Sequence, residues 1–110
     1  MRVKRAINHV YFIASRGSNL IKIGKASNPE KRLRELQCGS AATLRIVGLM
    51  PGGKAAEAKL HKKFKHLHHH GEWYEGTTEL WTFIVRNSTD MNDYDGFGNP
   101  VQILAEENDD

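Results

Sequence analysis

Two β-prone runs near the start of the chain constrain the fold more than any other feature. "HVYFIAS" at 9–15 and "LIKIGKA" at 20–26 are rich in β-branched and aromatic residues, and the "RGSN" between them is turn chemistry. Together they read as a β-hairpin. The stretch that follows, "SNPEKRLREL", has Asn28 placed to cap a helix, Pro29 at its first position and Glu30 in its first turn, each suited to the free amides of a helix N-terminus. Leu33 and Leu36 then face a core, and Arg32, four residues before Leu36, is close enough to the buried edge to reach over the hairpin.

"TLRIVGLM" at 43–50 reads as a third strand that "PGG" ends. "KAAEAKLHKKFKHL" at 54–67 is a basic amphipathic helix with Ala56, Leu60, Phe64 and Leu67 on one stripe and with Glu57 and His61 one turn apart beside it. "HHHGEWYEGTT" breaks that helix, and "TTELWTFIVRN" reads as a last helix with Leu80, Phe83 and Ile84 inward. The order β, β, α, β, α, α predicts a small α/β (α+β) domain: a three-stranded, mainly antiparallel sheet with flanking helices. At 110 residues the chain has length for one core, so the boundaries are a domain over 1–86 and an acidic, loosely held tail over 87–110.

Charge is distributed unevenly. Fifteen of the sixteen Lys and Arg lie within residues 1–67, which carry only Glu30, Glu35 and Glu57 as acids, whereas residues 68–110 carry Arg86 against ten acids. A basic body of this kind attracts polyanions, DNA foremost, although a solvated charged surface would read the same way. The single Cys38 excludes an internal disulfide and fits a reducing, cytoplasmic compartment. Neither a signal peptide nor a membrane span is predicted, and the "HLHHHGE" run lacks the second ligand cluster that a structural zinc site needs.

Taken in order, "VYFI", "IKIGKA", "EKRLREL" and "AEAKLHKKF" followed by "GEWYE" resemble the GIY-YIG nuclease superfamily, in particular a small phage and bacterial branch with an E-x-x-x-H-x-x-F helix. The resemblance runs from about residue 9 to about residue 84 and implies metal-dependent hydrolysis of a DNA phosphodiester. It implies that Tyr11 helps activate the attacking water, that Gly24 lets the substrate backbone approach, that Arg32 contacts the scissile phosphate and that Glu57 holds one divalent ion, Mg²⁺ or Mn²⁺. Lys25, Arg34 and Lys62 are read with Gly24 as phosphate contacts.

These residue types suit the chemistry. Phosphodiester attack builds negative charge on oxygen, which a bidentate arginine and a hard cation both stabilise. Tyrosine is a poor base, its free pKa being about 10, and the nearby Lys22, Lys25 and Arg32 are expected to push Tyr11 toward phenolate. Two departures from the pattern stand out. Lys22 replaces the second tyrosine, and no asparagine lies between Glu57 and Asn87, so that His61, best placed, or His66, His69 or Glu72 would serve in its stead. A catalytically silent nucleic-acid-binding module and a protein-interaction domain are the competing readings. A domain this small, with no recognisable DNA reader, would also suit a separate targeting partner.

Overall fold

The computed structural model describes residues 8–89. The hairpin forms as the sequence predicts, with β1 at His9–Ser15 and β2 at Leu20–Ala26, and helix α1 follows at Pro29–Cys38. Asn28 caps α1 by accepting from the Lys31 N–H at 3.1 Å. Next come β3 at Leu44–Pro51, α2 at Lys54–Lys63 and a 3-10 turn at Lys65–Leu67. Two short strands, β4 at His68–His70 and β5 at Trp73–Glu75, precede α3 at Thr78–Asn87.

The sheet therefore has five strands rather than the expected three, all antiparallel, in the order β3-β1-β2-β5-β4. The additional hairpin is the segment read from sequence as a break. Gly71 turns it with φ +54°, a conformation in which a side chain is strained. Beyond α3, Thr89 exchanges two backbone hydrogen bonds with Leu49 of β3, at 2.8 and 2.9 Å. The acidic stretch from residue 90 onward lies outside the described residues.

Both faces of the sheet are covered, which explains why "VYFI" is continuously apolar instead of alternating. Val10 and Phe12 join Ile21 and Ile23 beneath Leu60 and Phe64 of the α2 segment and Leu80 and Ile84 of α3. Tyr11 and Ile13 point the other way, with Leu44, Ile46 and Leu49, toward Leu33 and Leu36 of α1. Trp81 packs, partly buried, against the first of these layers. Among the described residues no helix is long and apolar enough to cross a membrane.

At the centre of the α1-side layer Tyr11 pairs in register with Gly24, and the phenol lies directly over the glycine. A methyl group at position 24 would overlap the phenol oxygen and the ring carbon that bears it. Since Tyr11 is 2 % exposed, its ring has no free space to move into. Gly24→Ala is therefore expected to destabilise the domain by about 1–3 kcal/mol, the usual cost of overpacking, as a lower midpoint in urea denaturation.

Candidate functional site

The site is built where one strand outlasts its neighbour. β5 begins at Trp73, opposite Lys22, while β2 runs on to Ala26. At this point the ladder ends on Ile23: its N–H donates to the Glu72 carbonyl at 2.9 Å, and its own carbonyl lies 2.8 Å from His61 Nε2. A carbonyl can only accept, so Nε2 carries a proton, and in the neutral ring Nδ1 is the lone-pair atom. Tyr74, stacked on His61 with ring centroids 5.5 Å apart, holds the imidazole flat against the sheet edge.

His61 and Glu57 project from successive turns of α2, and Glu72 stands immediately before β5. One ligand atom from each lies within 4.8 Å of the others. The Glu57 carboxyl is pushed above the usual carboxylate range, first by burial and then by the neighbouring Glu72, against the pull of His61 and Lys25. Two carboxylates and an imidazole form a donor set that fits a hard or borderline divalent cation such as Mg²⁺ or Mn²⁺. Tyr11 and Arg32 belong to the same neighbourhood: the guanidinium lies against the phenol and ion-pairs with Glu35 at 3.2 Å.

Of the residues singled out from sequence, Tyr11, Gly24, Arg32, Glu57 and His61 come together here. Lys22 reaches the group through its acid: its ammonium lies 3.2 Å from Glu72 and 5.8 Å from the centre of the Trp73 ring. Lys25 is exposed, yet near enough to Glu57 to favour its charged form. Arg34 and Lys62 are exposed on α1 and α2. Of the alternatives to the absent asparagine, His66 bonds Glu79 at 2.8 Å and His69 lies against His70, while Glu72 joins His61 beside Glu57.

The expected drift of Tyr11 toward phenolate is not what the geometry produces. Burial is the largest influence on the phenol, and Glu72 and Glu57 add to it, so its pKa rises despite Arg32. Tyr74 is raised for the same reasons, burial first and then the two acids. Folding likewise makes Glu57 hold its proton more tightly than the unfolded chain does, so this residue costs stability as pH rises from the ordinary carboxylate range through its raised value. In chelator, Glu57→Gln is thus expected to melt at a higher temperature than the wild type near about pH 7.5, with the gain vanishing toward about pH 4.

Comparison with protein families matches residues 8–88 to the T5orf172 domain and not to the GIY-YIG superfamily, which corrects the resemblance drawn from the short motifs. No curated protein and no solved structure matches the chain. The family match spans the whole sheet, all three helices and every residue of the site, and the protein belongs to the T5orf172 domain family.

Proposed function

We propose that this domain is a divalent-metal-dependent endonuclease that hydrolyses a phosphodiester bond of DNA. The observation that carries the reading is the convergence of Glu57, His61 and Glu72 beside the Tyr11–Arg32 pair. Membership of the T5orf172 domain family, a nucleic-acid-associated domain, supports nucleic acid as the partner, and so does the basic character of residues 1–67.

In this reading Glu57 and Glu72 offer carboxylate oxygens and His61 offers Nδ1 to Mg²⁺ or Mn²⁺, the Ile23 carbonyl fixing the imidazole tautomer as backbone carbonyls do around metal-binding histidines. A divalent ion held by these three residues would supply Lewis-acid chemistry toward the phosphate. Arg32, charged and partly exposed, takes the non-bridging oxygens through its planar fork. Tyr11, kept protonated by burial and by the two acids, orients the attacking water through its hydroxyl. Gly24 keeps the space above the strand for that phenol.

A second reading, a catalytically silent nucleic-acid-binding module, is favoured by one observation: Lys22 already supplies a positive charge to Glu72. One experiment separates the two. Purified domain is incubated with supercoiled DNA in Mg²⁺, Mn²⁺ or chelator, beside folded Glu57→Ala and Arg32→Ala variants. Nicking that needs metal and falls about 100-fold or more in both variants is the expected result, the scale at which removal of a transition-state charge partner acts. Cutting retained in either variant overturns the assignment of that residue, and salt-sensitive binding without product favours the silent module.

A further inference from the structure

Lys22 sits on the α1 side of the sheet between Ile13 and Trp73, the residues it pairs with on either neighbouring strand. Its side chain is only 13 % exposed, and Glu72, 38 % exposed, is its counter-charge at 3.2 Å. Among the described residues Glu72 is the ion-pair partner of this mostly buried lysine, so separating the two carries a penalty that a new anion at the ammonium would offset. Glu72 is also one of the three donors grouped with Glu57 and His61. The same carboxylate therefore has two claimants: an internal cation across the strand end and whatever cation the donor group holds.

We infer that Lys22 and the metal compete for Glu72, and that a nucleic-acid phosphate, by becoming the new partner of the Lys22 ammonium, hands Glu72 over to the metal. The inference rests on the metal-dependent reading above and assigns Lys22 a positioning role. In the free protein Lys22 holds Glu72 and weakens cation binding. When substrate arrives, its anionic oxygens meet Arg32 and Lys22, both next to Tyr11 and Gly24 on that side of the sheet. Glu72 then completes the donor set beside Glu57 and His61. Metal and DNA binding strengthen each other as a consequence, and a metal held weakly in the absence of DNA limits unproductive occupancy.

The test reads metal affinity rather than turnover. Mn²⁺ is titrated calorimetrically into wild type, Lys22→Met, Glu72→Gln and the double variant, alone and with a phosphorothioate DNA oligonucleotide that keeps the backbone charge and resists cleavage. Lys22→Met is expected to tighten Mn²⁺ binding about fivefold or more without DNA, the lower end of ordinary coupling between sites, and to do so only where Glu72 is present. The oligonucleotide is expected to tighten Mn²⁺ binding to wild type by a larger factor than to Lys22→Met. Should Lys22→Met not fold, Lys22→Gln, which keeps a polar head near Glu72, carries the same expectation. Tightening of equal size with Glu72 and with Gln at that position means simple charge repulsion and overturns the exchange, as does an unchanged affinity. Failure of Mn²⁺ to bind wild type in either condition overturns the metal-site reading and the exchange with it.

Discussion

The Ile23 carbonyl stands where the β2–β5 ladder runs out, and the way it is satisfied organises the rest of the site. A backbone acceptor at the end of a buried strand requires a donor. Here the donor is the imidazole of His61, which ties α2 to the sheet edge at one atom, at 2.8 Å. With His61 fixed, Glu57 one turn earlier on the same helix is delivered to the same edge, and Tyr74 stacked on the imidazole prevents the ring from swinging away. A hydrogen bond that looks like repair of a frayed ladder thus fixes the orientation of a side chain of the candidate site.

The same edge is where the fold tolerates conflict. Burial and the neighbouring Glu72 disfavour the charged form of Glu57, and burial and the two acids disfavour that of Tyr11. Lys22 relieves part of the strain through Glu72, and Arg32 relieves part through Tyr11. Residues that oppose folding in this way are kept where they serve something other than stability, and their clustering at a single notch separates this region from the well-packed remainder of the sheet.

Much of this was legible in the sequence, and the parts that were not have a common cause. β1 and β2 could be read to the residue because β-branched runs on both sides of a turn leave little choice, and α1 because Asn28 and Pro29 mark its start. The β4–β5 hairpin could not, since three exposed histidines give neither alternation nor apolar content and each strand is only three residues long. Glu72 ranked behind His61 because its position depends on the register of β5, which that hairpin sets. The charge state of Tyr11 was misjudged because a sequence displays cations but not burial, and burial was the larger influence. The family was misjudged because four short motifs carry less information than a match over residues 8–88.

The architecture also bears on how a substrate would approach. α1 covers one face of the sheet and α2 and α3 the other, so Arg32 and Glu57 belong to opposite layers and approach one another only beyond the start of β5. A phosphate that engages Arg32 while one of its oxygens comes within reach of Glu57 has to lie across the edge of β2, not flat on either face. Both helices carry exposed cations, Lys31 and Arg34 on α1 and Lys54, Lys59 and Lys62 on α2. Under the proposed function, cations on both flanks would draw nucleic-acid phosphates toward the notch.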